Sequence, residues 1–269
     1  MPTLSRGRYR ARPATTAGDL RAAQRLRWRA FRAGDDASAE GEGRDADAFD
    51  GLCTHVLVEE VSTGTLVCCF RLMHLASGAE ARRSYSGQFY DLSALAGQGG
   101  PILELGRFCV DPAWCDADIL RLAWAAISAQ VDAAGVRMLM GCSSFRGTDP
   151  QVHRDAFALL RARHLAPDRW RPHVKAPSVV RFAELGVERP DLRRAMARMP
   201  PLLRTYLTMG GRVSDHAVVD RDLGTLHVFT GLEVDIVPAA RARSLRGIRE
   251  GAFRADGAAT RGRGVREPS

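Results

Sequence analysis

With 269 residues, 45% of them apolar and 26% charged, the chain has material for one large α/β domain or one domain with an appendage. No run approaches the ~18 apolar residues that a bilayer span needs, and the polar, arginine-rich stretch Met1–Arg12 has no apolar signal-peptide core, so a cytoplasmic protein is expected. The formal charge of +8 is carried by arginine, Lys175 being the only lysine; no nucleic-acid motif or aromatic platform accompanies it, which argues against a nucleic-acid partner.

Charge concentrates from Arg241 onward, where eight arginines face only Glu250, Asp256 and Glu267. Such a Gly- and Ala-rich stretch is expected to be a mobile basic tail, residues 241–269, suited to an acidic partner or to peripheral contact with an anionic inner membrane. Residues 1–15 are expected to be a flexible N-terminus, leaving 16–240 as the folded domain. Six cysteines without a CxxC pair read as small buried hydrophobes in a reducing compartment.

In chain order, residues 16–33 predict a helix with Leu20, Ala23, Leu26, Ala30 and Phe31 on one face. An irregular acidic segment, Gly34–Asp50, follows. His55–Glu60 and Thr65–His74 are strand-like and joined by a Val61–Gly64 turn. Ser84–Ala96 is helical or irregular, and leads to an apolar strand over 102–110. Asp116 or Asp118 caps a helix running to about Ala134, with Gly135 closing it, and Val136–Cys142 is the next strand. This strand–helix–strand unit predicts parallel pairing with a right-handed crossover. Thr148–Gln151 has the form of a capping box opening a helix to about Arg163. Ala176–Glu184 could form a strand. Asp191–Met199 and Pro201–Met209 are short helices, an insertion around 185–211, and Val213–Val219 and Leu226–Val237 close the core as strands.

Chemistry concentrates on the strand over 102–110, which carries Glu104 and Arg107 among Ile102, Leu103, Leu105, Phe108 and Val110. A buried charge is costly unless it is paired or used. Residues three apart on a strand face opposite sides, so a bulge is needed to bring both to one site. A structural ion pair and a catalytic base with a substrate-holding guanidinium both remain open. Asp45, Asp47 and Asp50 crowd one loop, which suits a cationic ligand or a solvated surface; they lack the glycine and closing glutamate of a calcium loop, and no metal site is expected. Arg71 lies in an apolar run and needs a partner, Asp47 or Asp50 being the obvious ones. Ser143 and Ser144 sit at the carboxyl end of a strand, where ligands of open α/β sheets gather. Where an acyl-CoA enzyme would place a glycine-rich turn for the pyrophosphate, the chain has Asp111–Asp118, with three further carboxylates.

Arg27-x3-Phe31, Asp47-x2-Asp50, Arg71 and Glu104-x2-Arg107-Phe108 match in order and spacing the acyl-homoserine-lactone synthases, which are acyl-carrier-protein-dependent members of the GNAT fold. The chain resembles still more closely the ornithine-lipid N-acyltransferases. That likeness rests on Ser84-Tyr-Ser-Gly-Gln-Phe-Tyr90, Glu104-Leu-Gly-Arg-Phe-Cys-Val110, Pro200-Pro-Leu-Leu-Arg-Thr-Tyr-Leu207 and Asp222-Leu-Gly-Thr-Leu226, over residues 15–240. The resemblance implies an α/β GNAT-like acyltransferase fold: a mixed twisted sheet whose two parallel strands splay around the phosphopantetheine arm of a 3-hydroxyacyl carrier protein. It implies L-ornithine as acceptor through its α-amino group and no cofactor beyond that acyl-phosphopantetheine. It implies Glu104 as the base and Arg27, Asp47, Asp50 and Arg71 as a network shaping the acyl and acceptor side. Asp45, Asp47 and Arg107 are candidates for the second ammonium and the carboxylate of ornithine on chemistry alone. Phe108, Val110, Ser143, Ser144, Phe31 and Trp28 are expected on the donor side. A homoserine-lactone-type synthesis from S-adenosylmethionine is the alternative within enzymes, and a non-catalytic basic binding module the alternative outside them.

Overall fold

The computed structural model describes residues 1–32, 43–241, 243 and 247. Its elements run β1 (Leu4–Arg6), β2 (Tyr9–Pro13), α1 (Ala17–Phe31), β3 (Thr54–Glu60), β4 (Leu66–Leu75), α2 (Ser86–Phe89), β5 (Tyr90–Asp91), β6 (Ile102–Val110) and α3 (Ala117–Ala133). They continue with β7 (Met138–Arg146), α4 (Arg154–Arg163), β8 (His173–Val174), β9 (Val179–Arg181), α5 (Leu192–Arg198), α6 (Pro201–Thr208), β10 (Arg212–Asp220) and β11 (Thr225–Glu233). Two compact units share them: Met1–Leu72 with Arg107–Ala133, and Met73–Gly106 with Ala134–Pro238.

In the first unit the strand order is β1-β2-β3-β4 and then the second half of β6. β1, β2, β3 and β4 pair antiparallel in succession. α1 starts at a capping box, Thr16 accepting from Asp19 N while Asp19 returns the bond, which satisfies amides the first turn cannot pair itself. Its apolar stripe places Ala23 and Leu26 in a core with Leu57, Cys69 and Cys109, and Phe31 packs against that core. The same helix also buries Gln24 and Arg27, so one edge of its inner face is polar.

The expectation of a flexible arm over residues 1–15 is overturned by β1 and β2. Leu4, Tyr9 and Ala11 are buried, and the arginines of this segment meet acids far along the chain: Arg6 meets Asp118 at 2.9 Å, and Arg12 meets Asp19 at 2.8 Å and Glu59 at 2.6 Å. Counting polar residues could not reveal those partners.

In the second unit the order is the first half of β6, then β7-β11-β10-β9. β6 and β7 pair in parallel from Ile102↔Met138 to Glu104↔Met140, the predicted orientation. Gly141 is required there, because a Cβ would come within 2.3 Å of the Leu105 carbonyl oxygen. β7 pairs antiparallel with β11 along its whole length. The core joins Phe145, Phe157, Phe182, Leu203 and Val228, with Phe157 and Phe182 stacked at 4.9 Å.

Several boundaries differ from expectation. β7 extends four residues past Cys142 because β11 supplies partners to Arg146. The cap before α4 is Asp149, which accepts from Gln151 N, and a 3-10 turn, Pro150–His153, precedes the helix. The strand expected over 176–184 is only β9, since Phe182 turns into the core on a 3-10 turn. β11 likewise ends at Glu233 in a 3-10 turn. The acidic residues 34–42 lie outside the described residues, as does most of the 241–269 tail. Among the described residues, no helix is long and apolar enough to cross a membrane.

Candidate active site

In the first unit, the acidic loop and the buried arginines form one lattice. Arg27, 1% exposed on α1, donates from Nε to Asp45 Oδ2 at 2.9 Å and from Nη1 to Asp50 Oδ1 at 2.8 Å, and its Nη2 bonds Asp50 Oδ2 and the Asp45 carbonyl oxygen. Arg71 on β4 clasps Asp47 at 2.5 and 2.8 Å and reaches Asp50 at 2.7 Å. Arg107 donates to Asp45 at 2.9 Å and Asp47 at 3.1 Å. Gln24, one helical turn before Arg27, adds a bond to Asp50, and Arg32 one to Asp45.

Asp47 accepts from Arg71 twice, from Arg107 and from the Phe49 amide; Asp50 accepts from Arg27 twice, from Arg71 and from Gln24. Four donors are what an ionised carboxylate can accept. The carboxylates of Asp47 and Asp50 are therefore not solvated: the cations that meet them are the protein's own guanidiniums. Burial alone would push the Asp50 carboxyl up, but the bonds from Arg27 and Gln24 and the charge of Arg27 hold it well below the usual carboxylate range. For Asp47 burial likewise opposes, and Arg71 and Arg107 prevail in the same direction. His55 stands opposite Arg71 in the β3–β4 ladder, and its Nε2–H donates to the Asp50 carbonyl oxygen at 3.0 Å. Burial first, then Arg27 and Arg71, lowers the His55 pKa, so it sits there neutral.

Arg107 has φ +50, the one non-glycine residue of positive φ in the chain's described part. A left-handed residue inside a strand costs about 1–2 kcal/mol and reorients the peptide that follows, here toward Phe108. The irregularity anticipated in this strand lies at Arg107 itself. The two bonds to Asp45 and Asp47 hold it there, so Arg107 orders the acidic loop.

Glu104 belongs to the second unit and is 4% exposed. Its Oε1 accepts from the Ser86 amide at 2.8 Å and the Ser86 hydroxyl at 2.6 Å, and Oε2 accepts from the Tyr85 amide at 2.9 Å. Ser86 Oγ also contacts Cys142 Sγ at 3.4 Å. Tyr206 on α6 is buried, and its phenol is pushed far above the usual range by burial and by the charge of Glu104. Thus the Ser84–Tyr90 motif serves this carboxylate, and the Pro200–Leu207 motif brings the Tyr206 phenol within reach of its charge. A glutamate whose hydrogen-bond donors are amides and a hydroxyl is set apart from the arginine-paired aspartates.

The donor-side candidates scatter. Phe108 is half-buried and stacks on Phe70 at 5.6 Å, and Val110 is half-buried at the end of β6. Phe31 packs into the core, and half-buried Trp28 lies so close to Gly43 that a Cβ there would overlap its ring. Ser143 and Ser144 alternate across β7 as strand geometry demands: Ser143 is buried and accepts from Thr230 at 3.0 Å, while Ser144 is exposed. They do not act as a pair on one face.

After β6, carboxylates occupy the first turn of α3. Asp116 accepts from the Asp118 amide at 2.9 Å and from the Tyr9 hydroxyl at 2.9 Å; Asp118 accepts from Arg6 at 2.9 Å and Arg121 at 3.0 Å. Asp111 takes Arg29 at 2.8 Å. At this helix start the Asp118 amide is already taken by Asp116 and is not offered to a diphosphate.

Sequence reasoning missed Gln24, His55, Tyr85, Ser86, Cys142 and Tyr206. Gln24 was signalled by its place three residues before Arg27 on one helix face, and His55 by its register opposite Arg71. The role of Ser86 had no periodic signal.

Residues 26–125 match the acetyltransferase (GNAT) domain family. The L-ornithine N(alpha)-acyltransferase of Rhodobacter capsulatus is 36% identical over 230 residues, covering 82% of this chain and 88% of that protein. The enzyme of the same name from Brucella abortus is 30% identical over 240 residues, covering 85% of each. A solved N-acyl amino acid synthase from uncultured soil microbes superposes with a TM-score of 0.48 at 10% identity, over 85% of this chain and 93% of its own.

Proposed function

Because the chain belongs to the L-ornithine N(alpha)-acyltransferase family, we propose that it transfers a 3-hydroxyacyl group from acyl carrier protein to the α-amino group of L-ornithine, giving lyso-ornithine lipid. The observation that carries the mechanism is the buried Glu104 carboxylate, held by Tyr85 and Ser86 in a single orientation.

The α-ammonium of ornithine must lose a proton before its nitrogen can attack the thioester. Glu104 takes that proton, directly or through one water, and the N–H electron pair becomes the nucleophile. Attack forms the C–N bond and a tetrahedral oxyanion. Collapse breaks the C–S bond. The second N–H proton, lost as the amide forms, goes to the departing thiolate, and Glu104 returns its own proton to solvent. No acyl-enzyme is needed. The arginine–aspartate lattice does not clasp ornithine through Asp47 or Asp50, whose acceptor sites are filled; it fixes the loop and Arg107 so that β6 keeps its shape.

Carrier protein rather than CoA as donor is supported by the acidic start of α3, where Asp111, Asp116 and Asp118 stand in place of a phosphate-binding turn. The test is incubation of the protein with 3-hydroxyacyl carrier protein or the matching acyl-CoA, each with L-ornithine or S-adenosylmethionine. N-acylornithine from the carrier-protein arm is expected. Product only with S-adenosylmethionine overturns the acceptor, and faster turnover with acyl-CoA overturns the donor.

A further inference from the structure

Tyr85 and Ser86 present two amides and a hydroxyl to the Glu104 carboxylate, and these groups are not equivalent once the reaction begins. The Tyr85 and Ser86 amides can only donate, so neither can receive a bond from a protonated carboxyl's O–H. A base must also survive its own protonation. When Glu104 takes the proton of the α-ammonium, the new O–H needs an acceptor in a buried pocket, where an unmet polar hydrogen is costly. Of the three groups, only the Ser86 hydroxyl can turn from donor to acceptor. Behind it, at 3.4 Å from Oγ, lies Cys142 Sγ, which can donate a weak S–H bond or accept one.

We propose that the Ser86 hydroxyl is a positioning residue that lets Glu104 alternate between its ionised and protonated forms. This rests on the reading of Glu104 as the base. In the resting state the Cys142 S–H points to Ser86 Oγ, and the Ser86 O–H points to Glu104 Oε1 at 2.6 Å. After proton transfer the Glu104 O–H points to Ser86 Oγ, and the Ser86 O–H turns to Cys142 Sγ. No covalent bond forms or breaks at serine or cysteine; two hydrogen bonds reverse. Ser86 is fully buried, at 0% exposure, which keeps water from taking the hydroxyl's place. The three residues come from α2, β6 and β7, elements far apart in sequence. The 2.6 Å bond is charge-assisted in the resting state and neutral afterwards, so it favours the ionised form.

The experiment is the pH profile of kcat for wild type, Ser86→Ala, Cys142→Ala and Glu104→Gln, with 3-hydroxyacyl carrier protein and saturating L-ornithine. Ser86→Ala is expected to lower kcat about tenfold and to move the acid limb up by about one pH unit, the loss of one charge-assisted bond. Cys142→Ala should move it the same way by less. Glu104→Gln should abolish that limb. A Ser86→Ala enzyme that is merely slower, with its acid limb where the wild type has it, overturns the proposal while leaving Glu104 as the base. A Glu104→Gln enzyme that keeps the limb overturns the base itself. Should Ser86→Ala fail to fold, Cys142→Ala decides, and an unmoved limb in that variant overturns the proposal.

Discussion

Asp50 and Glu104 are comparably buried, at 7% and 4% exposure, yet the protein treats their charges in opposite ways. Asp50 is met by two guanidiniums and an amide side chain, so positive and negative charge alternate. Glu104 is met by two backbone amides and a hydroxyl, and its charge is felt by the Tyr206 phenol. Charge paired with charge gives a rigid brace whose members fail together. Charge met by neutral dipoles keeps a carboxylate available to a proton. The first arrangement shapes the protein, and the second suits chemistry.

The largest effect that would break this contrast concerns Glu104. Glu104→Gln is expected to reduce kcat by about 10²–10⁴-fold, the usual range for a positioned base, with a much smaller change in unfolding free energy. Equal losses of activity and stability would place Glu104 with Asp50 as a structural group. Next comes the brace. Arg27→Met leaves Asp45 and Asp50 buried without their main partner, and unfolding by denaturant should show a loss of about 3–5 kcal/mol. A loss under about 1 kcal/mol would mean that Arg32, Arg71 and Arg107 hold the loop unaided.

A pH titration of stability sharpens the same point with a smaller effect. His55 is depressed below its ordinary value in the folded protein, so it binds its proton more readily when unfolded, and stability falls as pH drops through about 6.5. Asp47 and Asp50 are also depressed; their contribution is full above about pH 4 and is lost below it. His55→Gln should lessen the first decline, to which His74 and His164, lowered by burial, also contribute, and leave the second. An unchanged slope between pH 7 and 5 would remove His55 from the lattice's account.

How much of this was legible in the sequence depends on which kind of pairing is meant. Arg71 in an apolar run demanded an acid, and Asp47 and Asp50 were the available ones; the demand arises from desolvation alone and needs no geometry. The strand carrying Glu104 and Arg107 announced itself for the same reason, and its parallel partner, expected over 136–142, followed from the strand–helix–strand order. The N-terminal strands were illegible because each arginine is satisfied by an acid distant in the chain, and composition records only that both exist. Ser86 was illegible for another reason. Its contribution is one hydroxyl and one amide delivered by a four-residue helix, which has no periodicity to read.

The smallest effect separates backbone from side chain at Arg107, the residue that joins the lattice to β6. Its left-handed φ of +50 is strained for any residue with a Cβ, while its guanidinium holds Asp45 and Asp47. Arg107→Ala loses both bonds and keeps the strain. Arg107→Gly loses the same bonds and relieves it. If the left-handed conformation outlasts the two bonds, the glycine variant should be more stable than the alanine variant by about 1 kcal/mol, although both are less stable than wild type. Chemical denaturation of the pair resolves a difference of that size. Equal stabilities would mean that the strand relaxes once the arginine is gone, so the brace imposes the irregularity only while Arg107 is tied to it. A glycine variant less stable than alanine would mean that β6 leaves the left-handed region when unbraced, and that the bend is made by the lattice alone.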